Sequence, residues 1–128
     1  MEYVYQYNAA NQRTRVDWAD DSYWSFDYDN LGQVTSANRS WTGGIPVEGQ
    51  QFGYTFDGIG NRVETTRSGR IAEYQPNLLN QVVEREIPGA IDLMGHAHPE
   101  ATVTVDLENT TRQDGGYFHK EVVIDNEN

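Results

Sequence analysis

The segment Phe52-Gly53-Tyr54-Thr55-Phe56-Asp57-Gly58-Ile59-Gly60-Asn61-Arg62-Val63-Glu64-Thr65-Thr66-Arg67 reads as two strands around one turn. Tyr54 and Phe56 are spaced by two, which places both rings on one face of a strand. Asp57 follows, a residue whose side chain hydrogen-bonds the backbone ahead of it and opens a turn. Gly60 stands three residues later, where positive φ costs a glycine nothing. Arg62 to Arg67 then leave as the second strand.

Working outward, the same unit recurs. Tyr5-Gln6-Tyr7-Asn8-Ala9-Ala10-Asn11-Gln12-Arg13 aligns with Phe26-Asp27-Tyr28-Asp29-Asn30-Leu31-Gly32-Gln33-Val34 and with Tyr54 to Arg62. A weaker fourth copy is Tyr74-Gln75-Pro76-Asn77-Leu78-Leu79-Asn80-Gln81-Val82, with Pro76 in place of the second aromatic. The structural repeat positions are Tyr7, Asn8 and Asn11; Tyr28, Asp29 and Gly32; Phe56, Asp57 and Gly60; and Asn77 with Asn80. A spacing of roughly 20 residues between Asn8, Asp29, Asp57 and Asn77 (28 in the middle interval) marks a repeat architecture. Each copy is expected to be a β-hairpin. Thr42-Gly43-Gly44 and Ser68-Gly69 are the expected turns between hairpins.

The pattern aromatic-x-Tyr-Asp-x-x-Gly-Asn-Arg resembles the YD repeat of RHS proteins, a family that includes bacterial polymorphic toxins, insecticidal toxin-complex subunits and the animal teneurins. The resemblance covers roughly residues 3–86. It implies antiparallel hairpins rolling in a spiral sheet, built in that family into a hollow shell that encloses a toxin polypeptide or serves as an extracellular scaffold. It brings over no protease residue and no toxin activity.

Composition agrees with a strand-and-turn protein. Of 128 residues, 12 are Gly, 8 Tyr and 3 Trp, and no convincing amphipathic helix is present. Thirteen of the fifteen aromatics lie in residues 1–86, and Pro88-Gly89 marks the change. The expected organisation is hairpin repeats over 1–86 and a second β unit over 87–128. In the latter, Ile87 to Leu93, Ala101 to Glu108 and Tyr117 to Asp125 are strand candidates. Ala101 to Glu108 alternates apolar and polar residues as a half-buried strand does. This part looks like the opening strands of the small immunoglobulin-like modules of bacterial surface proteins and glycosidases. The expected class is therefore all-β: antiparallel hairpin repeats plus a partial immunoglobulin-like unit.

Nine basic residues against 20 acids give a formal net charge of −11. That argues against binding nucleic-acid backbones or anionic membranes. Absence of cysteine removes disulfides, thiol catalysis and thiolate metal sites. No apolar run approaches a membrane span and no signal peptide opens the chain. A secreted or cell-surface location is expected, with any export signal outside this sequence.

Each candidate site in the sequence also has a blander structural role. His96-Ala97-His98 with Glu100, and His119 as a third ligand, forms a weak metal candidate, and no metal or cofactor is expected. Asp27-Tyr28-Asp29-Asn30-Leu31-Gly32 brushes a calcium loop but fails at Leu31. Asp20-Asp21 or Glu84 with Glu86 could be a glycosidase carboxylate pair, although 20 acids produce such pairs by chance. Trp18, Trp24 and Trp41 are candidates for stacking on sugars; filling the layer between hairpins is the favoured reading. Asn38-Arg39-Ser40 and Asn109-Thr110-Thr111 match the glycosylation triplet.

The expected role is a non-enzymatic structural segment of a bacterial RHS-like protein. The alternatives are a carbohydrate-binding module and a glycosidase or metal-dependent hydrolase. Four hairpins do not close a shell, so open β edges are expected to pair with more of a longer chain or with copies of the same chain. The start within a repeat and the abrupt end at Asn126-Glu127-Asn128 favour an excerpt.

Overall fold

The computed structural model describes residues 2–125. Contacts divide the chain into two units, Met1–Ile87 and Pro88–Asn128. Both are built from antiparallel strands, and a single 3-10 turn at Asp114–Gly116 is the only helical element among the described residues.

In the first unit eight strands form one sheet in chain order: β1 (Val4–Tyr7), β2 (Arg13–Asp17), β3 (Tyr23–Tyr28), β4 (Val34–Ser40), β5 (Pro46–Phe56), β6 (Arg62–Arg67), β7 (Arg70–Pro76) and β8 (Val82–Arg85). Asn8, Asp29, Asp57 and Asn77 open the four turns at one end of the strands. Each repeats the same hydrogen bonds. The Asp57 N–H donates to the Asn61 carbonyl, and the Gly60 N–H donates back to the Asp57 carbonyl. Asp57 Oδ1 accepts the backbone N–H groups of Ile59 (3.0 Å) and Asn61 (2.8 Å). Asn8, Asp29 and Asn77 accept the corresponding pairs. This is a three-residue hairpin loop closed by a bulge with its last residue left-handed. Asn11, Gly32, Gly60 and Asn80 occupy that position, with φ between 58° and 92°. Register slips at Gln6/Tyr7, Asp27/Tyr28, Thr55/Phe56 and Gln75/Pro76, just before each turn. Pro76 is accommodated there, at the end of β7.

The far end is less regular. Trp18 to Ser22 and Trp41 to Ile45 close β2–β3 and β4–β5, and Ser68-Gly69 closes β6–β7. Between β4 and β5 the pairing jumps from Asn38↔Gln51 to Ser40↔Pro46. Residues 47–50 therefore bulge out opposite Arg39, with Gly49 at φ 77°. This excursion supplies about half of the seven or eight residues by which the 28-residue interval exceeds its neighbours.

In the second unit β9 (Ala90–His96) pairs with β13 (Tyr117–Val123), which also pairs with β12 (Thr111–Arg112); β10 (Thr104–Val105) and β11 (Glu108–Asn109) make a separate small hairpin. The strand expected over Ala101 to Glu108 does not form. Asp106 and Leu107 take φ of 50° and 65° and fold the segment into a two-residue turn, leaving Leu107 in solvent. The alternation of Val103, Val105 and Leu107 belongs to a hairpin rather than to a half-buried strand. The first and last strands of this unit lie near their expected positions, shifted by up to three residues.

Candidate functional site: a two-faced sheet and its turn ladder

Residues paired across an antiparallel sheet point to the same face. The register therefore assigns each strand side chain of the first unit. One face carries Tyr5, Val16, Trp24, Phe26, Ala37, Phe52, Tyr54, Ala72 and Tyr74. The other carries Asp17, Tyr23, Ser25, Asp27, Ser36, Asn38, Gln51, Glu64, Glu73 and Glu84. Aromatic-x-aromatic spacing thus gathers the rings on one surface, and Trp24 stacks with both Phe26 (6.3 Å) and Phe52 (6.0 Å).

Arginines accompany the rings. Arg13 lies over Tyr5 at 4.5 Å, Arg62 over Tyr54 at 4.9 Å, Arg67 over Phe52 at 5.5 Å and Arg85 over Tyr74 at 5.3 Å. In two hairpins the first aromatic of the motif takes the Arg that ends it. The second hairpin has Val34 there, and its Phe26 packs against Trp24 instead. The Tyr74 hydroxyl is held below the usual phenol range by its hydrogen bond with Thr65, against a smaller burial effect, with help from Arg85 and Arg62. Two grooves run along this face. One, of about 410 Å³, lies between Tyr5, Arg13, Trp18 and Trp24. The other, of about 490 Å³, lies between Phe26, Val34, Phe56 and Arg62.

Arg39 is the exception that folds inward. It is 5% exposed, beside Ser22 at 1% and Trp41 at 4%. Its Nε donates to Ser22 Oγ (2.9 Å), one terminal nitrogen to Asp20 Oδ2 (2.6 Å) and the other to Gln50 Oε1 (3.3 Å). The guanidinium also sits 4.3 Å over the Trp18 ring and 5.7 Å from Trp41. Partial burial raises the Asp20 carboxyl, but bonds from Ser22 and the charge of Arg39 outweigh it and hold the group below the usual carboxylate range. Gln51 Nε2 donates to the Arg39 and Val47 carbonyls, which ties down the excursion.

The turn edge is linked laterally. Asn61 Nδ2 donates to Asn80 Oδ1 of the next turn (3.1 Å). At the equivalent places Gln12 approaches Gly32 and Gln33 approaches Gly60. A Cβ on those glycines would stand 3.2 Å from Gln12 Nε2 and 3.4 Å from Gln33 Oε1. A long Gln therefore faces a Gly, and a short Asn faces an Asn. Leu31, Ile59 and Leu79, each two residues after the Asx of the second, third and fourth turns, are exposed at the tips.

The sequence-derived candidates fall as follows. All four Asx turn positions lie at the same end of the strands. Trp41 is too buried to present a ring to a sugar, with the Arg39 guanidinium near its ring. Trp18 is 37% exposed but lies under Arg39, and Trp24 is half-buried in the aromatic stack. His96 packs edge-on against Tyr117 (5.6 Å), while His98 accepts the Glu100 N–H (3.3 Å). His119 is buried and bonded to Asp92 Oδ1 at 2.7 Å. The three imidazoles are thus engaged separately, and no cluster of metal-ligating side chains occurs among the described residues. In the calcium-loop candidate, Asp27 accepts from Ser36 (2.6 Å) on the polar face while Asp29 serves the turn. Asp20 belongs to the Arg39 cluster. Glu84 is on the polar face. Asn38 of the first glycosylation triplet lies mid-strand and accepts the Phe52 N–H (3.2 Å).

No protein-family model matches the chain, and no curated protein matches it. Among solved structures the chain is similar to a crystal structure of TcdB2-TccC3-TEV, at 16% identity and a TM-score of 0.59 over 91% of this chain. It is also similar to a crystal structure of TcdB2-TccC3-Cdc42, at 15% identity and a TM-score of 0.60 over the same share. At such identities the likeness is one of fold. It extends beyond the hairpin unit, which is 87 of 128 residues. The chain spans about 7% of the length of those chains.

Proposed function

We propose that this chain is a non-enzymatic structural segment of a bacterial RHS/YD-repeat, toxin-associated protein, secreted or at the cell surface, where its hairpins form part of an enclosing or scaffolding wall. The observation that carries this reading is the repetition of one Asx-headed turn four times along a single sheet edge. A turn ladder of this kind adds hairpins without limit and specifies no closed site. The fold likeness to chains of TcdB2-TccC3 structures supports it. So do the outer strands, since β1 and β8 each have one neighbour among the described residues. In this reading the edges are covered by further hairpins of the same polypeptide. The second unit is read as a small β element following the wall, and the immunoglobulin-like likeness rests on its flanking strands.

The test is the coding sequence on either side, followed by electron microscopy of the full product. Tandem YD units continuing the spacing, and a hollow particle, are expected. Flanking sequence without such repeats, or glycoside hydrolysis abolished by one carboxylate substitution, would overturn the reading.

A further inference from the structure

The two faces of the hairpin sheet differ in charge as well as in polarity. Asp17, Asp27, Glu64, Glu73 and Glu84 all point to the polar face. Arg13, Arg62 and Arg85 all lie on the aromatic face, each over a tyrosine ring. None of these three is paired with a carboxylate among the described residues, whereas Arg15, on the polar face, is paired with Asp17 at 2.5 Å. An acidic chain has thus collected unpaired cations on its apolar surface. A guanidinium over a ring keeps N–H groups for a second, planar acceptor, although Arg62 already turns one toward the Tyr74 hydroxyl.

We propose that this aromatic–arginine face docks an extended polypeptide segment with carboxylates spaced about every third residue and aromatic or aliphatic side chains between them. The reading rests on the wall-forming role above and names the chemistry of what the wall faces. Spacing sets the register of the partner. Arg13 begins β2, Arg62 begins β6 and Arg85 ends β8. At about 4.8 Å per strand these anchors stand roughly 19 Å and 10 Å apart across the sheet. Register sets Arg13 level with Thr66, about four residues along the strand from Arg62, so the longer gap is about 23 Å; an extended chain covers about 3.3 Å per residue, and the gaps correspond to about seven and three residues. The two grooves between the rings hold Arg13 and Arg62, and they offer the apolar side chains a place beside each anchor. A single nucleic-acid strand fits less well. It carries a charge on every nucleotide, and the −11 chain repels such a polyanion.

The test uses the full chain and a fluorescent synthetic peptide of repeated Glu-Phe-Ser triplets, followed by anisotropy at low and physiological salt. Binding is expected, at least tenfold tighter than that of the matching Lys-Phe-Ser peptide. It should weaken at least tenfold in the combined R13Q, R62Q and R85Q variant. The single R85Q variant, at the sheet edge, should lose a few-fold and covers the case in which the combined variant does not fold. Equal binding of the lysine peptide, unchanged binding in R85Q and the combined variant, or tighter binding of oligo-dT would overturn the proposal. So would sedimentation showing that the chain associates with itself through this face, lost in R85Q. Failure here leaves the wall-forming role standing, since that is decided by the flanking repeats.

Discussion

Replacing Arg39 by alanine removes a side chain that joins the Trp18–Ser22 turn to the 47–50 excursion. Three hydrogen bonds go with it, to Ser22, Asp20 and Gln50. Two ring contacts go as well, over Trp18 and near Trp41. A desolvated cation–π contact is worth about 2 kcal/mol, and removing one member of a buried charged cluster costs about 3–5 kcal/mol. The ion pair itself is the smaller part, because the Asp20 side chain is 39% exposed and water screens it. The expected loss is about 3–4 kcal/mol, most of it packing and desolvated hydrogen bonding. All three tryptophans lie in the first unit, so tryptophan fluorescence during urea unfolding follows that unit alone. With a urea slope of about 1.5 kcal/mol per molar, the midpoint falls by about 2 M or more. Arg39→Lys should recover only part of the loss, since a point charge cannot make all three bonds at once while standing over Trp18. Combined with Asp20→Ala, the coupling should be about 1 kcal/mol. A loss below about 1 kcal/mol for Arg39→Ala would refute the view that this cluster organises the excursion.

The turn ladder predicts that Gly32→Ala loses about 1–2 kcal/mol, because a non-glycine residue is forced left-handed and Gln12 must move; urea unfolding checks this. Gly60→Asn should be repaired by adding Gln33→Asn, which rebuilds the Asn61–Asn80 arrangement at another turn; unequal stability of the single and double variants in the same assay shows it. The carboxyls of Asp57 and Asp20 are held low, Asp57 chiefly by the Asn61 side chain and Asp20 as described above. Their contribution is present above the unfolded value of about 3.9 and is lost as pH falls through the lower folded values. Asp57→Asn, which places at the third turn the residue found at Asn8 and Asn77, should fold at neutral pH and show a shallower acid limb in unfolding followed from pH 7 to pH 2. In the second unit, Asp92→Ala leaves the buried His119 without its acceptor and should cost about 1–3 kcal/mol, read as faster amide exchange along β13.

The hairpin unit was largely legible in the sequence because its decisive interactions are local. Asn8, Asp29, Asp57 and Asn77 each bond to backbone two and four residues ahead, so a nine-residue window contains the whole device. Tyr54 and Phe56 likewise declare a common face by spacing alone. The Ala101 to Glu108 segment misled for the same reason. Alternation reports one strand or two short ones equally well, and Asp106-Leu107 carries no glycine to announce the turn. Arg39 was invisible as a functional position. Its neighbours Asn38 and Ser40 are polar, and its burial comes from Trp18, Ser22 and Gln50, up to 21 residues away in sequence. The one available hint was the 28-residue interval, of whose seven or eight extra residues the excursion supplies about half.

By itself, the sequence determined that this is an all-β chain of Asx-headed hairpins, because turn chemistry and side-chain alternation act over a few residues. Only the tertiary structure decided that Arg13, Arg62 and Arg85 stand over tyrosines on one face, while Arg15, over Tyr23 and paired with Asp17, joins the carboxylates on the other. That segregation depends on inter-strand register, and a slip of one residue would exchange the faces.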